Sequence, residues 1–338
     1  MKQKYRKQKR TASGRKIRPA AVLFLIGLTL TGIFLGKNKT RQGYEQTGAK
    51  SSLESQSAVD SQSTLAGEDY WIVRESLAGR EEIPLEEYLV GAVGAVCPGK
   101  WDAETCKAMA VLIRTNMRQL AEKQGSRTIF YKETGQEMLE GEELYEKWGA
   151  DYEREYEKIK AAVEDTKGQY FYYEGIPVEF PYFEISAGET RKADEVWGDG
   201  TFPYLQTISC KGDIFAEDYM QEMTIKPGKL KEKLRQIFET EEEVSWEDIC
   251  FEKDKGGYIT EAKWNQKIVS GETFRKKLEL ASANFSVKKQ GRGFVFVTKG
   301  VGHGFGMSLS MANEMAKEGS NYREILCYFF PDCEIVKS

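Results

Sequence analysis

Apolar residues recur every three or four positions in the stretch after residue 102, which is the spacing of a helix with one face in a core. They are Cys106, Met109, Ala110, Ile113, Met117 and Leu120. Asp102 directly precedes the stretch and is a favoured N-cap residue. A shorter helix is predicted before it, opening near Ile83 with acidic residues in its first turn and running to Pro98-Gly99.

The pattern changes after residue 168, where aromatic and β-branched residues dominate. Two such runs flank Glu174-Gly175, which is a hairpin signal. Helical spacing returns in the last 30 or so residues, with Gly319 and Pro331 as stop signals. The predicted strands are 169–173, 176–180, 257–263 and 294–297, and the predicted C-terminal helices are 308–317 and 322–329. This mixture predicts an α+β fold of helices and antiparallel strands.

The first 68 residues have a different character from the rest. Residues 1–18 are basic and contain no acid, and residues 19–36 form an uncharged apolar run that roughly matches the ~30 Å hydrocarbon thickness of a bilayer. The positive-inside rule then places the N-terminus in the cytoplasm and residues 69–338 outside it, behind one transmembrane helix. A cleaved signal peptide is the alternative, but the run is long and no small-residue cleavage site follows. Residues 37–68 are rich in Ser, Gln, Gly and Thr and are predicted to be a flexible tether.

Charge limits the classes of partner. Nine of the 49 basic residues precede residue 19, so the rest of the chain carries 40 basic against 53 acidic residues. An acidic body argues against binding to nucleic acid, whose affinity depends on phosphate neutralisation. Two strongly charged stretches, 120–165 and 211–255, are predicted to be solvated insertions in the domain.

Cysteine and histidine usage gives little support for a metal site. Six cysteines lie beyond the apolar run, and the sequence does not choose between buried free thiols and one or two disulfides. His303 is the only histidine and there is no C-x-x-C pair, so we predict no zinc and no other cofactor.

The first candidate for chemistry is the segment 299–308, in which glycine occupies every second position around His303. Repeated glycine permits positive φ and close approach of the backbone to a ligand. His303 could bind a sugar or exchange a proton, because its unperturbed pKa is near ~6.5. The alternative is a turn that needs its glycines for packing. A second, weaker candidate is the loop 181–190, whose aromatic and small polar residues suit carbohydrate recognition.

Both candidate segments belong to a larger set of motifs that resembles one family. The run 88–98, followed by Glu104, Lys107, Arg114 and Thr115, resembles the signature of the stage II sporulation protein D and amidase-enhancer family. The blocks 182–190, 196–205, 270–285 and 300–326 resemble its later motifs in the same order. The resemblance covers about residues 70 to 336.

The resemblance implies a lytic transglycosylase that acts on peptidoglycan glycan strands after a partner amidase has removed the stem peptides, during engulfment in sporulation. Such an enzyme needs one carboxylic acid, which protonates the glycosidic oxygen and then accepts the proton of the sugar's C6 hydroxyl as a 1,6-anhydro ring closes. Val96 occupies the position of that glutamate. Since valine transfers no proton, the sequence predicts a weakened or inactive enzyme.

Three interpretations follow and stay open at this point. The protein binds or remodels glycan strands without efficient cleavage; it cleaves them with a relocated acid, for which Glu184 and Glu104 are candidates; or it is an adaptor that binds other proteins at the wall, such as an amidase or other engulfment proteins. The predicted glycan-binding residues are Glu184, Ser186, Gly188, Thr190, Gly302, His303, Gly304, Ser308 and Arg114.

Overall fold

Two separate hydrophobic cores organise the chain in the computed structural model, which describes residues 70–76, 79–198, 200–291 and 293–337. The helices are α1 (Leu85–Val96), α2 (Ala103–Gln124), α3 (Gly141–Trp148), α4 (Tyr152–Asp165), α5 (Asp194–Trp197), α6 (Pro227–Phe238), α7 (Gly271–Leu278), α8 (Leu309–Lys317) and α9 (Tyr322–Phe329). The strands are β1 (Trp71–Ser76), β2 (Gly79–Pro84), β3 (Thr128–Phe130), β4 (Gln169–Tyr173), β5 (Ile176–Pro177), β6 (Tyr182–Phe183), β7 (Met220–Ile225), β8 (Cys250–Lys253), β9 (Ile259–Trp264), β10 (Lys267–Ser270), β11 (Phe285–Gln290), β12 (Gly293–Lys299), β13 (Met307–Ser308) and β14 (Cys333–Lys337).

Helix α2 is the central element of the first core and contacts α1, α4, α8, α9 and β4. The predicted N-cap is confirmed, because the Asp102 side chain accepts a hydrogen bond from the Glu104 N–H at 2.9 Å. The helix ends at Gly125, which has the left-handed φ of +61°. The predicted hairpin is confirmed too, since β4 and β5 pair antiparallel across Glu174 and Gly175, both at positive φ.

The α+β class is confirmed, but the strands are not all antiparallel. Three small sheets have the orders β10-β9-β8, β11-β12-β7 and β14-β4-β5 and are antiparallel throughout. In the sheet β2-β1-β3, however, β1 pairs parallel to β3. Strands β6 and β13 also pair parallel, with Met307 opposite Tyr182. Parallel pairing of segments far apart in sequence leaves no hairpin signal, so the sequence pattern could not predict it.

The two strongly charged stretches are amphipathic and carry core residues. In 120–165, α3 and α4 bury Leu144, Trp148 and Ile159 in the first core. In 211–255, α6 buries Leu230 and Leu234 in the second core, which β7 to β12, α6 and α7 enclose. Apart from Glu155, Asp213 and Asp254, whose side chains are buried, the charged residues of both stretches lie on outer faces. The composition therefore suggested solvated insertions, although the helical period places one buried stripe on each helix.

Arg114, a predicted glycan-binding residue, braces the first core. Its side chain is fully buried and makes a bidentate pair with Glu86, with Nε–Oε1 at 2.8 Å and Nη2–Oε2 at 2.7 Å. It also donates to the backbone oxygens of Val163 at 3.1 Å and Gln169 at 3.4 Å. The guanidinium therefore joins α1, α2, α4 and β4, and it has no open face for a sugar.

The predicted membrane anchor at 19–36 and the tether at 37–68 lie outside the described residues. Within the part of the chain that the structure describes, no helix combines the length and apolar character that a membrane span requires.

We expect Arg114→Met to lower the free energy of unfolding by about 3–5 kcal/mol, because it leaves a buried cluster of carbonyl groups and Glu86 without their cation. Urea unfolding measures the change. Arg74→Met is the matched control: Arg74 pairs with Glu81 at 2.7 Å in an exposed setting, and its loss should cost less than about 1 kcal/mol. Equal losses in the two variants would contradict the bracing role.

Candidate functional site

The glycine-rich segment 300–306 lies along the loop 181–187, and backbone pairing joins the two. Ile185 and Val301 form an antiparallel bridge, with hydrogen bonds of 3.0 and 2.7 Å in the two directions. Strands β6 and β13 continue the contact beyond the glycines. The two motifs that the sequence analysis selected therefore form one unit.

The alternating glycines are explained by this contact. Residues 300, 302, 304 and 306 all have positive φ, between 72° and 108°. A Cβ on Gly306 would lie 2.0 Å from the Pro181 carbonyl oxygen, and one on Gly300 would lie 2.6 Å from that of Ile185. On Gly304 it would meet the Arg191 side chain at 2.8 Å. The close approach is to other parts of the protein, which agrees with the packing alternative.

His303 is buried behind this segment. Its Nδ1 accepts a hydrogen bond from the Phe305 N–H at 3.1 Å, and its ring lies against Phe183 and Phe305. Burial lowers the pKa of His303 to about 4, with the Glu272 carboxylate opposing the shift. The imidazole is therefore neutral near pH 7 and serves as an internal acceptor at a position with little access to a ligand.

Arg191, which the sequence analysis missed, fills the space beside Gly304. Its Nε pairs with Asp254 Oδ2 at 2.6 Å, and the two side chains are only 4% and 3% exposed. Its guanidinium lies between the rings of Tyr258 and Phe305, at 4.8 and 4.4 Å from their centroids. Arg191 follows the loop motif directly, but its partner is 63 residues away, and nothing in the sequence links them.

Ser186 and Ser308, both predicted to bind glycan, are instead joined by Asp213. The carboxylate Oδ2 accepts from the Ser186 N–H at 2.8 Å and from the Ser308 hydroxyl at 2.6 Å, and all three residues are fully buried. Thr190 is buried as well, and its hydroxyl bonds to the backbone of Gln206 and Ile208. These buried hydrogen bonds fix the conformation of the loop.

Glu184 is the charged candidate that reaches the surface. It follows β6, its side chain is exposed, and its backbone oxygen accepts from the Ser310 N–H at 3.0 Å. The surrounding protein still desolvates its carboxyl group, which raises the pKa of Glu184, and the negative charge of Asp218 raises it further. The Lys147 ammonium opposes the shift. A carboxylic acid with a raised pKa at an open position suits proton donation.

Lys147 binds the end of α1, and its charge acts on Glu184. Its Nζ donates to the carbonyl oxygens of Gly94 at 2.9 Å and Ala95 at 2.5 Å. Burial lowers the pKa of Lys147, and the charge of Glu184 acts against that shift. Val96, the last residue of α1, is only 9% exposed. The position of the expected acid and the candidate substitute are thus close to one cation that the sequence analysis did not select.

The remaining predicted site residues, and the cysteines, lie outside this pair of charged side chains. Glu104 accepts from Lys107 and from the Tyr322 N–H at 2.8 Å, so it holds the start of α9. Gly188 and Gly302 are half-buried in the joined segments. All six cysteines are free thiols, and the interaction with Cys106 lowers the pKa of the buried Cys97 thiol beside α1. Among the described residues, no three His, Cys, Asp or Glu side chains are grouped so that they could hold a metal.

The fold and the site are those of an α+β protein with a surface region built around one desolvated carboxyl group. A family model described as stage II sporulation protein matches residues 74–173. Stage II sporulation protein D of Bacillus subtilis (strain 168) is 32% identical over 261 residues, which are 75% of this chain and 75% of the relative. That of Bacillus amyloliquefaciens is 30% identical over 270 residues, which are 78% and 77% of the two chains. The chain belongs to the stage II sporulation protein D family and is a sporulation-related protein.

We expect Gly306→Ala to destabilise the fold by about 3 kcal/mol or more, since it adds a collision with Pro181 to the cost of positive φ. Thermal or urea unfolding measures this. Gly319→Ala is the control, because Gly319 also has positive φ but open space around it, and only the backbone cost of about 1–2 kcal/mol applies. Similar losses in both variants would show that the close approach is unimportant.

The pKa of His303 predicts a specific pH dependence. Its folded pKa lies below the unfolded value of 6.5, so the unfolded chain binds the proton first, and stability falls as pH drops from 6.5 towards about 4. The loss should approach about 3 kcal/mol at the lower end. His303→Asn keeps an acceptor for the Phe305 N–H but cannot titrate. Unfolding free energies across this pH range should diverge between the two proteins, and parallel curves would contradict the prediction.

Proposed function

We propose that this protein binds or remodels peptidoglycan glycan strands during sporulation and is weakened or inactive as a lytic transglycosylase. The observation that carries the proposal is Val96 at the end of α1. A buried isopropyl group stands where the family resemblance places the proton donor. Losing a general acid typically removes a factor of about 10²–10⁴ from the rate.

The rest of the region keeps features that suit ligand binding. The Ile185–Val301 bridge and the pairing of β6 with β13 hold the loop 181–187 against the segment 300–306, and Glu184 on that loop is exposed. Lys147 lies beside the end of α1, close to where a strand would pass. After an amidase has acted, the strand carries lactyl carboxylates, for which a nearby cation is a suitable partner.

A second function has specific support from Glu184. Its raised pKa and its exposure are the properties of a general acid, so cleavage by a relocated acid is the alternative. Glu104, the other candidate, is committed to Lys107 and to the start of α9, which argues against a catalytic role. An adaptor role at the wall remains the third possibility, with an amidase or other engulfment proteins as partners.

The proposal includes the location predicted from the sequence. The apolar run 19–36 anchors the chain in the cell membrane with its N-terminus in the cytoplasm, and residues 37–68 tether the domain on the outer side. That arrangement brings the domain to the wall, where its substrate is.

The test incubates the purified full chain, in mild detergent, with amidase-stripped peptidoglycan. Co-sedimentation measures binding, and mass spectrometry detects 1,6-anhydro ends. We expect the wild type to bind with few or no such ends, and Val96→Glu to raise their yield by about 10²-fold or more, because it restores a proton donor.

Two further variants separate the alternatives. Products from the wild type that disappear in Glu184→Gln, but not in Glu189→Gln on the same loop, would establish the relocated acid. A wild type that neither binds nor cleaves the strands would overturn the proposal and favour the adaptor.

A further inference from the structure

Three large apolar side chains project into solvent beside the site. Among the large hydrophobic residues that the structure describes, Phe215 has the highest exposed fraction. Phe215 is 85% exposed, and Met220 and Ile214 are 57% and 44% exposed. They lie on a short helical turn and at the start of β7. Exposed apolar side chains that are grouped rather than scattered singly are typical of a binding surface.

The turn that carries them is rigidly attached to the site. Asp213 precedes Ile214 and is the residue that holds both Ser186 and Ser308. The Cys210 N–H donates to the Gly188 oxygen at 2.8 Å, and the Tyr219 hydroxyl donates to the Ala187 oxygen at 3.3 Å. Phe215 is therefore displayed from a fixed backbone, which limits the entropy that a ligand must remove on binding.

The same turn lies beside the loop that carries Glu184, because Asp213 accepts a hydrogen bond at 2.8 Å from the N–H of Ser186, two residues after Glu184. The charge of Asp218, three residues after Phe215, also acts on the Glu184 carboxyl group. Ile214 lies against the same loop, because its Cγ2 would lie 3.9 Å from a Cβ on Gly188. The apolar side chains thus continue the region that contains the open carboxylate.

We propose that Ile214, Phe215 and Met220 form a sugar-stacking platform that binds a pyranose ring of the glycan strand beside Glu184. This inference rests on the proposed function and names how that site holds its ligand. A pyranose ring has an apolar face of C–H groups and polar edges, and N-acetyl methyl groups add apolar area. An aromatic face next to a carboxylate matches both parts, as ligand sites combine apolar walls with a few placed polar groups.

The test measures binding of the full chain to amidase-stripped glycan strands by co-sedimentation. Phe215→Ala should weaken binding about tenfold, since burial of one aromatic side chain is lost, while Phe215→Trp should keep it. Ile214→Ala should weaken binding less. Ile176→Ala is its matched control, because Ile176 is 56% exposed but lies on the β4–β5 hairpin and not on the turn that carries Ile214. The melting temperature should not change, as Phe215 packs little against the fold.

The outcomes separate this inference from the proposed function. Tight wild-type binding that Phe215→Ala leaves unchanged would overturn the platform and leave glycan binding intact. No binding by the wild type would overturn both. If Phe215→Ala instead abolishes binding to anionic lipid vesicles with strand binding unchanged, the surface belongs to a membrane contact and the platform is likewise overturned.

Discussion

The buried ion pair between Arg191 and Asp254 is the interaction on which the rest of the site depends. Arg191 belongs to the loop that packs on the first core, and Asp254 belongs to the turn between β8 and β9 of the second core. Removing one partner of a buried pair typically costs about 3–5 kcal/mol, because the other charge stays behind without compensation. Gly304 leaves the space for Arg191, and His303 supplies a carbonyl acceptor to it at 3.2 Å. The glycine-rich segment therefore provides the space and one acceptor for this ion pair.

What could be predicted from the sequence is local. The helices near residue 100, the Glu174-Gly175 hairpin and the C-terminal helix 322–329 each depend on periodicity, caps or turn residues within one stretch, and the structure confirms them. The hydrogen bonds and ion pairs that hold the site together are not local. Asp213 and Ser308 are 95 residues apart, and the Arg191–Asp254 pair spans 63. No spacing rule relates such residues, so the sequence marked Ser186 and Ser308 as polar and free to bind glycan, and could not reveal the buried carboxylate that holds them.

The alternating glycines show how a motif can be recognised correctly and interpreted too simply. Glycine permits close approach of backbone, but the sequence does not say what approaches. At Gly306 and Gly300 it is the carbonyl groups of Pro181 and Ile185. This packing fixes the position of the residue between those two contacts, Glu184, relative to α8. The motif contributes to the site by placing the loop, and the histidine within it is an internal acceptor.

The end of α1 defines the surroundings of residue 96, where the family resemblance places a carboxyl group. A carboxyl group at residue 96 would lie at the negative end of the helix dipole, which favours its protonated form, and the Lys147 ammonium would moderate that effect. With valine there, Lys147 donates to the terminal carbonyl groups of Gly94 and Ala95. Desolvation raises the pKa of the Glu184 carboxyl group, the negative charge of Asp218 raises it further, and the Lys147 ammonium opposes the shift. The region therefore combines a desolvated carboxyl group with a nearby cation, which is the electrostatic arrangement on which the proposed function rests.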